Sequence, residues 1–351
     1  MPLSDWLSGQ PLSLLALGFL ACALVIGVVG VRLTREAERF AYVSGLGQAA
    51  TGAVVLGAIT SLPGMATSFT AAAGGHPDLA VSNALGGIAA QTLFLVAADV
   101  AYRKTNLEYA AAEEANLSQA VVLIALLVLP ILAMAGPDLH LGSAGTLAVH
   151  PVTPLLIAGY LAGLRLTAGS HRRPQWQPVL APAADSEKRP ERPRRGELVA
   201  LVLRLVAMGA VVGLMGWLLS GLAVAATTRT GLSETAAGST FTAIATSLPE
   251  LVTALAAIRR GALGLAVGDI LGGNAFDVLF VAGSDLLYVE GSLYHAVEPR
   301  QIFLVALSIF MVALLLLGLL RREKHGIGNI GFESVMILLA YFAGMALLIA
   351  G

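Results

Sequence analysis

Apolar residues run along the chain in stretches far longer than the alternation of a strand or the one-sided stripe of a soluble helix. Ten stretches stand out, near residues 11–33, 40–73, 78–102, 118–137, 141–167, 197–226, 232–258, 262–288, 301–320 and 329–350. Each is long enough for a membrane-spanning helix, which needs ~20 apolar residues. Of the 351 residues, 57% are hydrophobic and 12% are charged, against about 25% charged in ordinary soluble proteins. The expected fold class is an all-α membrane protein. The first stretch is not expected to be a cleaved signal, because Asp5 is the only charge among the opening ten residues and the apolar run is too long.

The Lys and Arg residues test the count of spans. Numbering connections in chain order, the first holds Arg32, Arg35 and Arg39, and the third Arg103 and Lys104. The fifth holds Arg172, Arg173, Lys188, Arg189, Arg192, Arg194 and Arg195. Arg259 and Arg260 fall in the seventh, and Arg321, Arg322 and Lys324 in the ninth. The even connections carry only Arg229 and Arg300. A miscounted span would scramble this segregation. By the positive-inside rule the odd connections face the cytoplasm and both termini lie outside, as expected in a prokaryotic inner membrane. The long connection at 168–196 contains Pro174, Pro178, Pro182, Pro190 and Pro193 and reads as a disordered cytoplasmic linker. It separates a five-helix half, 1–167, from a second, 197–351.

The halves repeat. Displaced by 186 residues, Thr60-Ser61-Leu62-Pro63 falls on Thr246-Ser247-Leu248-Pro249, and Leu85-Gly86-Gly87 on Leu271-Gly272-Gly273. From Leu46 to Phe94, 19 of 49 positions are identical without a gap, and Asp99 falls on Asp285. With five spans each, the second copy must be inverted, an arrangement common in secondary transporters with the site between the repeats.

The repeated block carries the polar, helix-breaking residues. Proline lacks an N–H and clashes with the carbonyl four residues back, so Pro63 and Pro249 are expected to free the carbonyls of Ile59 and Ala245. Free backbone at membrane depth belongs where it lines a cavity or meets a ligand. Carbonyls and hydroxyls together are hard oxygen donors, suited to Na⁺ or Ca²⁺. Glu250 follows Thr246 and Ser247 at helical spacing, and a mid-membrane carboxylate is a functional candidate. Asp269 and Asp277 flank Gly272-Gly273 in the next stretch, where the glycines serve close helix packing, ligand approach, or both.

Ala245-Thr246-Ser247-Leu248-Pro249-Glu250, followed by Gly268-Asp269-Ile270-Leu271-Gly272-Gly273-Asn274-Ala275-Phe276-Asp277, resembles the second alpha-repeat of the Na⁺/Ca²⁺ exchangers, members of the Ca²⁺:cation antiporter superfamily. The resemblance covers the whole chain. It implies ten helices in two inverted five-helix repeats and alternating access around midplane cation sites. Carried over, it implies Thr246, Ser247, Glu250 and Asp277 as ligands in the second repeat and Thr60, Ser61 and Gln91 in the first. Ile59, Asn83, Ala245 and Asp269 are further candidates.

The first copy departs from the pattern. Gly64 stands where the family has its first glutamate, Gln91 closes the repeat in place of Asn, and Gly87 and Gly273 replace small hydroxyl residues. The acids therefore come from one half only. Three readings follow: exchange of Na⁺ or H⁺ for Ca²⁺ or a related cation at a lopsided site; exchange of monovalent cations; or a non-transporting membrane partner protein. Asp99 and Asp285 are read either as entry-path acids or as interfacial acids held by structural partners. Glu234, whose mate is Gln48, is expected to make a structural contact. His76 in the turn Gly74-Gly75-His76-Pro77, and His150, placed in the fifth helix, match no metal-ligand spacing. No P-loop, dinucleotide fingerprint or catalytic triad occurs. No enzymatic activity, cofactor, nucleotide or nucleic-acid partner is expected, and the lone Cys22 allows no internal disulfide.

Overall fold

The computed structural model describes residues 6–7, 9–44, 48–102, 105–139, 141, 149–170, 195–227, 233–323 and 331–350. The 168–196 linker lies almost wholly outside the described residues. Among them the regular structure is helical, with one isolated bridge between Leu141 and Val149. The principal helices are α1 (Leu12–Ser44), α2 (Leu62–Ala73), α3 (Pro77–Ala101), α4 (Glu114–Ala135), α5 (Val152–Ser170), α6 (Arg195–Thr227), α7 (Leu248–Arg260), α8 (Leu263–Leu287), α9 (Arg300–Arg321) and α10 (Phe332–Ala350). Seven of them are long and apolar enough to cross a membrane. The fifth helix begins later than the 141–167 stretch suggested, so His150 precedes it rather than lying within it. Pro151 follows His150, and the helix starts at the first residue able to hold helical geometry after it.

Two stretches are fractured. The segment Gly52–Thr60 meets α2 at 51°, and Glu234–Thr246 meets α7 at 42°. Each could form one broken span, which gives up to nine by length and composition. Pro63 and Pro249 sit at the start of the second piece, where a missing N–H costs nothing because the first turn has no intrahelical acceptor. Before each fracture lies a π-helical turn, Gly52–Leu56 and Gly238–Thr242, and these too are 186 residues apart.

The paired glycines explain how the pieces fit. A Cβ on Gly86 would lie 2.5 Å from Ser239 Cα, and one on Gly272 would overlap Ala53. Residues 53 and 239, like 86 and 272, are repeat mates, so two backbone-to-backbone crossings are built from the same sequence device. Helices α3 and α8 form the centre: 78% and 89% of their apolar windows are buried, against 22% for α1. Helices α1 and α6 pack on each other through Cys22, Ile26, Leu219 and Leu222, and Leu17, Leu20, Leu24, Leu203 and Val206 are left exposed, as lipid-facing residues are. Helix α6 rides over the first fracture, where Gly209, Gly213 and Gly216 abut Ile59, Leu62 and Pro63.

One prediction arises from these crossings. Gly272→Ala forces a methyl into the Ala53 backbone, and overpacking of this kind costs about 1–3 kcal/mol. The thermal midpoint of the detergent-solubilised protein should fall clearly, whereas Gly27→Ala, with open space at that position, should leave it unchanged.

Candidate cation site

The two fractures come together. Ser61, at the first corner, donates from Oγ to Glu250 Oε1, one turn beyond the second corner, at 3.3 Å. From α3, Gln91 Nε2 donates to Asp277 Oδ2 of α8 at 2.7 Å and to Ser247 Oγ at 3.3 Å. Ser61, Gly64, Asn83, Gly87, Gln91, Thr246, Ser247, Glu250, Asp277 and Phe280 enclose a cavity of about 10 Å³, near the minimum that admits one water-sized occupant. Glu250 is 1% exposed and Asp277 3%.

Several oxygens there have no hydrogen-bond partner: Glu250 Oε2, Asp277 Oδ1, Gln91 Oε1 and Asn83 Oδ1. A buried polar atom left unsatisfied costs about 1–3 kcal/mol, more if charged. Four such acceptors with two carboxylates make a donor set for a hard cation or proton, and a poor one for an anion. Asn83 is held by its amide, which donates to the Gly64 carbonyl at 3.1 Å and to Ser68 Oγ at 3.0 Å.

The structure separates the expected residues into groups. Ser61, Asn83, Gln91, Thr246, Ser247, Glu250 and Asp277 line the cavity. Thr60, Ile59, Ala245 and Asp269 do not. The Thr60 hydroxyl turns back onto its own helix, donating to the Leu56 carbonyl at 2.9 Å. Asp269 sits in a neighbouring buried niche, accepting from Thr253 Oγ1 at 2.5 Å, with Oδ1 unpartnered. Gly64 is informative by what replaces it. A Cβ there would meet Phe280 Cε2 at 3.1 Å, so an aromatic ring occupies the room a side chain at 64 would use. Nothing in the sequence singled out Phe280, which reads as ordinary core; its aromatic contacts with Phe69 and Phe276 do not distinguish it from one.

Asp99 and Asp285 lie away from the cavity and act as helix clamps. Asp99 accepts from the backbone of Leu107 (2.8 Å) and Gly331 (3.2 Å) and from Ser334 Oγ (2.9 Å). Asp285 accepts from the backbone of Leu293 (3.0 Å) and His150 (3.0 Å) and from Thr153 Oγ1 (2.6 Å). Each thus satisfies the exposed N–H end of a helix from the other half, α10 or α5, a favourable place for a carboxylate. Glu234 likewise makes a structural contact, pairing with His76 Nδ1 at 2.7 Å. Asp285→Ala should free the start of α5 and lower the thermal midpoint. Asp285→Asn should do so less, because one oxygen remains; equal losses would count against the clamp.

A helical bundle whose buried heart is two proline-fractured segments around unsatisfied oxygens defines an integral membrane protein of the cation-carrier class. The model of the sodium/calcium exchanger protein family matches residues 14–150 and 199–350, and the chain belongs to that family. CaxA of Alkalimonas amylolytica, which bears the name of an antiporter, is 28% identical over 336 residues, covering 93% of this chain and 98% of that one. The sodium/calcium exchanger MaX1 of Methanosarcina acetivorans is 26% identical over 117 residues, about 32% of either chain. The fold is that of the sodium-calcium exchanger NCX_Mj, with a TM-score of 0.68, 20% identity, and coverage of 96% of this chain and 99% of that one.

Proposed function

We propose that the chain is a secondary-active antiporter that exchanges Na⁺ or H⁺ for Ca²⁺ or a related cation by alternating access around the cavity between the fractures. Ten spans in two inverted five-helix repeats, counting α5 as a span and each fractured pair as one, fit the segregation of basic connections. That orientation puts both termini outside a prokaryotic cell membrane. The observation that carries the reading is the convergence of Glu250, Asp277, Ser61, Ser247 and Gln91 on one buried cavity with unsatisfied oxygens. Glu250 is the ligand that alternates between cargo and coupling ion, since burial makes an empty carboxylate costly and either partner relieves that cost.

A specific observation supports the monovalent alternative. The Gln91 amide donates to Asp277, so its partial positive charge offsets a carboxylate that Ca²⁺ would need, and Gly64 supplies none. Proteoliposome flux decides between them. Ca²⁺ uptake driven by an outward Na⁺ or H⁺ gradient supports the first reading. Na⁺/H⁺ exchange without Ca²⁺ movement supports the second. No flux of any of the three overturns both and leaves the non-transporting reading.

A further inference from the structure

The two helix clamps differ in one respect. Asp285 has Tyr294 beside it, whose hydroxyl lies 3.1 Å from Thr153 Oγ1. The repeat mate of Tyr294 is Glu108. At the Asp99 clamp, therefore, a second acid replaces a phenol, and Glu333 of α10 adds a third.

Asp99 is fully satisfied as a carboxylate, since its two oxygens take three donors. The glutamates are not. Glu108 is 2% exposed and Glu333 1%. Glu108 Oε1 takes a 3.4 Å contact from Ser334 Oγ, but Glu108 Oε2 and both Glu333 oxygens have no partner. They converge: a Cβ on Gly331 would overlap Glu333 Oε1 and lie 3.4 Å from Glu108 Oε2. Among the described residues, the nearby cations bond other groups, although Arg321 lies close enough to attract a charged Glu333. Arg321 pairs with Glu323 at 3.6 Å and stacks on Phe332, and Arg322 donates to the Ala112 carbonyl at 2.7 Å. Three anions at this site would leave two facing each other without donors, and like charges in a buried site cannot all ionise cheaply.

We propose that Glu108 and Glu333 share one proton, forming a proton-binding site separate from the cation cavity that fastens α10 to the helical turn Leu107–Ala110 after α3. The O–H of one carboxyl donates to the facing oxygen of the other, supplying the donor both lack. Burial, with Asp99 and Glu333 close by, pushes the Glu108 carboxyl well above the usual carboxylate range. The sign follows: the contribution is complete below the ordinary glutamate value of ~4.3 and declines as pH rises toward the elevated value in the fold. Among the described residues, the clamp at Asp285, with tyrosine in place of the glutamate, has no second carboxyl to share a proton with; the rings of His150 and His295 stand beside it instead. The site lies on the face of the basic connections, which the orientation proposed above puts in the cytoplasm, so alkalinisation there loosens the start of α10.

Infrared difference spectra of the full chain in proteoliposomes, titrated upward from the ordinary glutamate value of ~4.3, test this. As the pH rises, the protonated-carboxyl band of the parent chain should lose a component that is absent in Glu108→Gln and in Glu333→Gln, whose amides supply the donor instead. In Glu250→Gln it should persist, which keeps the test independent of the transport reading. A band with unchanged amplitude and midpoint in both glutamine variants overturns the proposal. So does loss of the band on adding CaCl₂ at constant pH in the Glu250→Gln background, which would make the pair a divalent-cation site. Amide exchange in the parent chain gives a readout free of variants. Corrected for its intrinsic pH dependence, exchange at Leu107 and Gly331 should rise with pH several-fold more than that at Leu293; equal behaviour at both clamps overturns the proposal.

Discussion

Glu250→Gln should abolish gradient-driven cation exchange while leaving a folded protein. The glutamine keeps the shape and can still accept from Ser61 Oγ, now at 3.3 Å from Glu250 Oε1. What disappears is the negative charge beside the cavity. Stranding a buried ion by deleting its partner costs on the order of 3–5 kcal/mol, and 3 kcal/mol is about a hundredfold in affinity. Flux in proteoliposomes should therefore fall by at least that factor at low cation concentration. Glu250→Asp should retain a remnant, since its charge survives one bond further from Ser61. Undiminished flux in Glu250→Gln would remove this residue from the transport cycle and the cavity from its centre.

The second large effect concerns the missing acid of the first repeat. Restoring it as Gly64→Glu should raise Ca²⁺ affinity, but only when room is made. The new Cβ lies 3.1 Å from the Phe280 ring, and rigid aromatics wedged against Phe69 and Phe276 do not yield freely. Paired with Phe280→Ala, the new side chain gains the vacated space and a third carboxylate joins Glu250 and Asp277. Calcium favours several oxygens and high negative charge. The double variant should bind Ca²⁺ at least tenfold more tightly, since one full charge at close range in a buried site is worth more than the ~1.4 kcal/mol that a factor of ten requires. Gly64→Glu alone should gain little and lose thermal stability. A folded double variant with unchanged Ca²⁺ affinity would refute the account of the lopsided site.

Much of this was legible along the chain because it depends on local chemistry. A proline recurring behind the same Thr-Ser-Leu in both copies marks a shared break, so the fractures after Thr60 and Thr246 could be placed in advance; proline alone does not decide it, since α4 carries Pro130 without a break. The 186-residue offset likewise carried through to contacts: the crossings of Ala53 with Gly272 and of Ser239 with Gly86 are one device used twice. Glu250 and Asp277 stood out because charge is costly at such depth. What escaped depends on partners distant in sequence or on the choice among local acceptors. Thr60 looked like the equal of Thr246, and both hydroxyls bond a carbonyl of their own helix, yet only Thr246 lines the cavity, a difference no pattern resolves. Phe280 reads as ordinary core until the absence of a side chain at Gly64 gives its ring a place. Asp99 could not be told from an entry-path acid, because the groups that hold it, Gly331 and Ser334, lie over 230 residues later.

That separation bears on how the chain is made. Synthesis delivers Asp99 to the bilayer long before α10 exists, and Glu108 with it. Until the final helix emerges, Asp99 lacks the Gly331 and Ser334 donors and must borrow water, lipid headgroups or a proton to offset its charge. At the other clamp the wait is reversed: the start of α5 is made first and Asp285 arrives to meet it. Neither half can complete its own hydrogen bonding, so assembly of the two halves is a reciprocal handshake, and a chain stopped just short of residue 331 should carry an unquenched acid for quality control to find.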